Sequence, residues 1–256
     1  MSNVLLNINL EARIATVTLN KQPLNICDRH FYREIKGAFE EINLMDDISV
    51  VILKSDCKHF CAGGDLAEIQ NCSTMDNVSV ISGAAADCMG AIYSCRYPVI
   101  AAVHGKAIGA GLALAACSDV IIASDDAKFS LPEITAGYIG ASEFLEMIMP
   151  RRLARYYVFT GDVICAQQML AWGAVLDVVA PEKLMERVME VAGKIAAQSP
   201  LALSYFKKAM NYNDNEMLRE KYFHEAQYTV MYNASDDCKE TFLAFKEKRK
   251  PKFSGK

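Results

Sequence analysis

Two glycine-lined junctions are where this sequence concentrates backbone groups able to do chemistry. In the first, Lys54 to Leu66 (KSDCKHFCAGGDL), an apolar β-rich run ending at Leu53 passes through a polar turn, and Gly63-Gly64 then lead into Asp65-Leu66-Ala67-Glu68-Ile69, which reads as the first turn of a helix. Residues without side chains let a ligand come close to the backbone, and the N–H groups of a first helical turn favour a negative oxygen. The second junction repeats the pattern. Val99 to Val103 is a short buried strand, His104-Gly105-Lys106-Ala107-Ile108-Gly109-Ala110-Gly111 follows, and Leu112 to Cys117 is small and apolar enough for a buried helix. Two such junctions, about 45 residues apart, are what a site needs if two N–H groups are to converge on one oxygen. Taken singly, each is equally an ordinary strand-to-helix turn.

Competing chemistries fare worse. A strand followed by Gly109-Ala110-Gly111 and a helix has the look of a dinucleotide fingerprint, but Leu114 stands where that motif needs Gly or Ala, and five residues separate strand from glycine. His59 reads as an exposed turn histidine and His104, behind a buried strand, as a structural one; neither has a partner at metal spacing. The nine cysteines are odd in number, lack a CxxC pair and sit mostly in apolar runs, so they read as reduced small hydrophobes rather than a zinc site or disulfide framework.

The elements that must position these junctions follow from periodicity. Val4 to Asn9 and Arg13 to Leu19 alternate as two strands of a hairpin. Phe31, Ile35, Ala38, Phe39 and Ile42 fall at helical spacing behind a capping Asp28 and lead to a strand over Ser49 to Leu53, a first βαβ unit. Asn71 to Asn77 reads as a mobile loop at the mouth of the first glycine turn, followed by a helix from Asp76 to Tyr93. Asp119 to Ala123, Ala127 to Ser130 and Val175 to Val179 are further strands. Helical pattern then dominates: Glu182 to Ala197, Pro200 to Met210, Asn215 to Tyr232 and Ser235 to Lys248. Alternating strands and helices predict a mostly parallel sheet with right-handed crossovers. The chain is thus expected to be an α/β core over 1–195 with a helical region over 196–256, and no Gly-, Pro- or Ser-rich linker separates them.

With 256 residues, 52% of them hydrophobic, the chain can bury a substantial core. No run approaches the roughly 18 apolar residues of a membrane span, and no basic segment precedes an apolar one at the start, so the expected location is the cytoplasm, with no membrane partner. A net charge of −4 argues against a nucleic-acid partner, although Lys246 to Lys256 is locally basic.

Four stretches in this order, FCAGGDL (60–66), PVIAAVHGKAIGAGLALA (98–115), FSLPEITAG (129–137) and FKEKRKPKF (245–253), resemble the crotonase superfamily, the enoyl-CoA hydratase/isomerase family. The likeness runs essentially end to end. It implies a spiral of ββα units with a C-terminal helical trimerisation region, a homotrimer or dimer of trimers, and an acyl-CoA thioester substrate whose carbonyl sits between the amides of Gly64 and Ala110. No separate cofactor or metal is implied, because coenzyme A arrives as part of the substrate. Ala62, Gly64, Asp65, Leu66 and Ala67 would line the CoA segment, and Phe245 and Lys248 of a neighbouring subunit would approach its nucleotide end, where a lysine suits phosphate. His59, just before the oxyanion turn, would contact CoA or stand as an exposed turn histidine.

Glu133 matches the family's acid/base glutamate, and its setting beside Leu131, Pro132 and Ile134 disfavours the charged carboxylate, as proton transfer near neutral pH requires. One departure stands out. Hydratases of the family carry a second glutamate three residues after the oxyanion residue of the second turn, and this chain has Ala113 there. Glu143 and Tyr138 are the candidates for a second acid; the plainer readings are a helix-starting glutamate and a packing tyrosine. The resemblance therefore implies an enoyl-CoA enzyme, an isomerase with a single glutamate or a hydratase with an unconventional second group. A weakly catalytic CoA- or RNA-binding scaffold is the alternative of another class.

Overall fold

The computed structural model describes residues 2–70, 75–214 and 218–254. Strands β1 (Val4–Asn9) and β2 (Ile14–Leu19) form an antiparallel hairpin. Helix α1 (Arg29–Asn43) follows because Phe31, Ile35, Phe39 and Ile42 make one apolar face, all of it buried, and Asp28 caps the start by accepting from the Phe31 N–H at 2.8 Å. Then come β3 (Val50–Ser55), α2 (Leu66–Gln70), α3 (Met75–Tyr93), β4 (Val99–Val103), β5 (Lys106–Ile108), α4 (Ala110–Ala116), β6 (Val120–Ser124) and β7 (Lys128–Ser130). The second half adds α5 (Glu133–Ala136), α6 (Ser142–Ile148), α7 (Arg151–Thr160), β8 (Ile164–Cys165), α8 (Ala166–Ala171), β9 (Asp177–Val179), α9 (Leu184–Ala196), α10 (Pro200–Asp214), α11 (Leu218–Asn233) and α12 (Asp236–Glu247).

The main sheet has the order β1-β2-β3-β4-β6-β9 and is parallel from β2 onward. Side chains alternate across it, as strand geometry demands. Val51, Leu53, Val99, Ala101, Val103, Ile121 and Ala123 point into the larger core, whereas Ile14, Val50, Ile52, Ile100, Ala102 and Ile122 point the other way, onto Leu184, Val188, Val191 and Ala192 of α9. Both faces are therefore covered, which is why β4 reads as an unbroken apolar run. Each such Leu or Val taken out of water contributes roughly 1.5–3 kcal/mol. The C-terminal helices lie on this core, α11 along α3 and α12 against α5. Helix α10 is pinned by Lys207, only 5% exposed, whose Nζ donates to Asp119 Oδ2 at 2.6 Å and to the Tyr97 carbonyl at 3.1 Å.

A second, three-stranded sheet, β5-β7-β8, was not expected from the sequence. Two- and three-residue strands are too short to carry a period-two pattern. Other corrections are local. Helix α3, expected from Asp76, starts at Met75 and takes in the end of the stretch read as loop, whose residues 71–74 lie outside the described residues. The strand expected over Val175 to Val179 is confined to β9, and the stretch from 142 to 171 holds three helices that sequence periodicity did not resolve.

Candidate active site

The small sheet explains how residues far apart in sequence meet. Around it the chain forms neighbouring extended segments. The Ala62 N–H donates to the Leu24 carbonyl, and Cys27 N–H and Asp65 N–H exchange with Gly63 and Cys27 carbonyls. On the other side, Cys61 N–H donates to Lys106 and Ile108 N–H returns to Cys61, both at 3.0 Å, while Gly109 N–H donates to Ser130 at 2.9 Å. Cys61 pairs with Ala107 in a parallel bridge. The bridge sets the segment leading to Gly64 beside the one leading to Ala110, each three residues beyond its bridged residue. Neither the Gly64 nor the Ala110 N–H donates to an acceptor among the described residues; the first bond of α4 is Ala113 N–H to the Gly109 carbonyl. Ala110 is the first residue of α4, as expected. Gly64 precedes its helix, because Asp65 intervenes and caps α2 by accepting from the Ala67 and Glu68 N–H groups at 2.8 and 3.2 Å. Ala62, Asp65, Leu66 and Ala67 thus form the extended segment and helical turn flanking Gly64.

The same sheet delivers the carboxylate. Strand β7 runs parallel to β5, with Ser130 opposite Ile108, and ends three residues before Glu133. Glu133 is 4% exposed, and its Oε1 lies against Gly109: a Cβ built on that glycine would sit 2.6 Å from it. Gly109 has φ +52 and ψ −114, a conformation that side chains disfavour. Tyr138 Oη donates to Glu133 Oε1 at 2.8 Å. The turn responsible is short. Gly137, at φ +90, ends α5, and the N–H groups of Gly137 and Tyr138 both donate to the Glu133 carbonyl, at 3.0 and 3.1 Å. The chain thereby doubles back and sets the phenol over the carboxylate. Leu131 is buried beside Glu133, but Ile134, expected in its apolar surroundings, is 44% exposed.

Glu143 is also buried, in the first turn of α6, and α6 packs on α4. Burial pushes the Cys117 thiol well above its ordinary pKa, and Glu143 is among the charges that add to the shift. Cys117 lies one turn along α4 from Ala113. Ala113 itself is 1% exposed and belongs to the core cluster. His104 is structural, its Nε2 2.9 Å from the Cys57 carbonyl. His59 is half-buried rather than exposed: Nδ1 is enclosed against Gly105, and burial together with Lys106 and Lys58 lowers its pKa. None of the eight described cysteines is in a disulfide; Cys27 and Cys61 approach to 3.5 Å between sulfurs, and that contact and burial raise the Cys27 thiol. Phe245 and Lys248 are not brought to Gly64 or Ala110 within the chain. Phe245 lines a cavity of about 450 Å³ with Ile134 and Thr135 on α5, and Lys248 ends α12.

Sequence reasoning missed Asn25. Fully buried at φ +54, it donates from Nδ2 to Ser55 Oγ at 2.8 Å and to the Phe60 carbonyl at 2.9 Å, and its Oδ1 accepts from the Lys21 N–H at 2.8 Å and the Cys57 thiol at 3.3 Å. It ties the segment before α1 to the one that carries Gly63-Gly64. The available signal was an asparagine in a Pro-Leu-Asn turn, a residue type that tolerates left-handed backbone.

The architecture is the crotonase fold. A solved enoyl-CoA hydratase/isomerase from Pseudoalteromonas atlantica superposes with a TM-score of 0.86 at 26% identity, over 99% of this chain and 100% of that one. The enoyl-CoA hydratase/isomerase family model matches residues 9–256, and the chain belongs to that family. Curated relatives include a crotonyl-CoA hydratase of Syntrophomonas wolfei, 34% identical over 96% of each chain. Another is the (7aS)-7a-methyl-1,5-dioxo-2,3,5,6,7,7a-hexahydro-1H-indene-carboxyl-CoA hydrolase of Rhodococcus jostii, 33% identical over 90% of each. The protein is accordingly an acyl-CoA enzyme of the hydratase/isomerase type.

Proposed function

We propose that this enzyme moves a carbon–carbon double bond in an enoyl-CoA by a single-carboxylate proton shuttle. Glu133 takes a proton from the carbon α to the thioester. The electron pair passes into a dienolate whose oxygen is held by the N–H groups of Gly64 and Ala110, donors positioned before the charge develops. Glu133 then returns the proton at the γ-carbon, so a 3-enoyl-CoA becomes its 2-enoyl isomer with nothing gained or lost. Coenzyme A is carried in by the substrate, and no other cofactor enters. Phe245 and Lys248 act from a neighbouring subunit, in a trimer or dimer of trimers; Leu201, Tyr205, Phe206 and Met210 of α10 are exposed apolar side chains that such an assembly would cover.

The observation that carries this reading is the pairing of a buried, tyrosine-held Glu133 beside Gly109 with an alanine, itself in the core, at position 113. Adding water takes one group to deprotonate it and another to protonate the α-carbon, and the second carboxylate of the family's hydratases is missing. A second reading, hydration with Glu143 as the other acid, is favoured by the burial of Glu143 on α6, which packs on the helix that carries Ala113, and by the hydratases among the relatives. Turnover in ¹⁸O-labelled water separates the two, since only hydration puts label on the β-carbon. Isomerisation predicts conversion of a 3-enoyl-CoA faster than hydration of a simple 2-enoyl-CoA, and a loss of about 100- to 10,000-fold in Glu133→Gln. Rapid label uptake without bond migration overturns it in favour of Glu143.

A further inference from the structure

We infer that Tyr138 is a positioning residue that fixes which oxygen of Glu133 moves the proton, an inference that rests on the reading of Glu133 as the proton-transfer group. The geometry is specific to the turn in which both residues lie. Oε1 accepts a hydrogen bond from the Tyr138 hydroxyl at 2.8 Å and lies against Gly109, so rotation of the carboxylate is restrained by that bond and by backbone. With Oε1 so engaged, the substrate proton leaves and returns through Oε2.

The phenol is held in turn from behind. Gly137 is pressed by α12: a Cβ on it would meet Phe242 and Thr241 at 3.2–3.3 Å, and the Cys238 thiol donates to the Gly137 carbonyl at 3.1 Å. With both Gly137 and Tyr138 N–H groups bonded to the Glu133 carbonyl, backbone and side chain of the glutamate are clasped by the same five-residue turn. A hydrogen bond of this kind does more than hold a rotamer. A shuttle that must return the same proton to a different carbon works best when the protonated carboxyl group cannot swing away and exchange with solvent. Fixing Oε1 achieves that, and losing a clamp of this type moves the acid by the ångström-scale displacement that costs about 100-fold in rate.

The test is Tyr138→Phe, which removes one oxygen and keeps the ring, with Tyr138→Met beside it as a second variant lacking the donor but packed differently. Each is assayed with a 3-enoyl-CoA in D₂O, together with thermal melting and Glu133→Gln in parallel. The expected result is a fall in kcat of about 10- to 100-fold with KM little changed, and a higher deuterium content at the γ-carbon of product than the unaltered enzyme gives, in both variants. A kcat and deuterium content equal to those of the unaltered enzyme, in variants that melt cooperatively, overturn the inference. So does a lower kcat with unchanged deuterium, because a tyrosine that merely packs would affect rate and melting without altering proton retention. If Glu133→Gln turns over normally, the reading of Glu133 has failed instead, and the Tyr138 inference falls with it. Where Glu133→Gln is inactive and the Tyr138 variants are unaffected, the inference alone is refuted.

Discussion

Replacing Gly109 by alanine places one methyl group against the part of the molecule on which the mechanism depends. At φ +52 and ψ −114 the residue is outside the regions open to an L side chain, and holding alanine there costs of order 1–3 kcal/mol. For a chain of this size, each kcal/mol lowers Tm by roughly 2–4 °C, so the melt should fall by about 2–12 °C. The second effect is on chemistry. The new Cβ would sit 2.6 Å from Glu133 Oε1 where ordinary contact begins at 3.4 Å, and the carboxylate must retreat by the difference, about 0.8 Å. A shift of that size in a proton-transfer group costs about 100-fold in turnover. Binding of CoA should survive, because the segment assigned to it, 62–67, lies on the other side of β5. Melting, calorimetry with CoA and turnover of 3-enoyl-CoA read the three quantities separately. Normal turnover in a variant whose Tm has fallen as expected would refute the argument, since it would mean that the place of the Glu133 carboxylate beside Gly109 does not matter to the reaction.

Two further outcomes test the supports of the site. Asn25→Ala leaves the Phe60 carbonyl and the Lys21 N–H without their partner, while Ser55 Oγ still donates to the His59 carbonyl and accepts from the Cys57 N–H; at about 1–3 kcal/mol for each of the two orphaned groups it should destabilise the chain by about 2–6 kcal/mol; chemical denaturation checks it, and a loss under about 1 kcal/mol would mean that other groups or water satisfy these atoms. Removing residues from Lys246 onward breaks exposed contacts, Arg249 and the Lys252 N–H with Glu240 and the Ser254 N–H with Asp237, and the bond from the Arg249 N–H to the Ala244 carbonyl that closes α12, so the core should remain folded while CoA affinity falls. Unchanged affinity by calorimetry, or a stable monomer that binds CoA fully, would remove Phe245 and Lys248 from the neighbour's site.

Much of the fold was legible because its elements are long enough to show their period. The α1 stripe of Phe31, Ile35, Phe39 and Ile42 and the all-apolar β4 each announce an environment, one face buried or both. The small sheet does not. In β5 a single residue, Ala107, is buried, flanked by an exposed lysine and a half-buried isoleucine, and β8 is a pair; what makes them strands is tertiary pairing with Cys61 and Phe129 rather than anything local. Propensity is a weak prior over such lengths. The stretch from 142 to 171 failed for a related reason: its helices are of six to ten residues, broken by Pro150 and Gly161, and show too few turns for a stripe to repeat.

The site was legible as parts and not as an arrangement. Glycine turns and a Pro-Glu dipeptide can be seen in a sequence, because they depend on what a backbone permits at one position. Register cannot. That the segment of Gly64 runs beside that of Ala110 follows from the Cys61–Ala107 bridge, and that Glu133 reaches Gly109 follows from Ser130 lying opposite Ile108; both are pairings between segments more than 20 residues apart. The same holds for Tyr138, which the sequence presents as a loop residue able to donate a proton or simply to pack. It becomes a partner of Glu133 only because Gly137 adopts φ +90 and turns the chain back, and that turn is held by α12, about 100 residues further on (Cys238 to Gly137). The C-terminal helices thus bear on the site within a single chain, by holding the turn in which Glu133 lies. A change at Cys238, Thr241 or Phe242 should accordingly be felt at Glu133 before it is felt in the β-sheet.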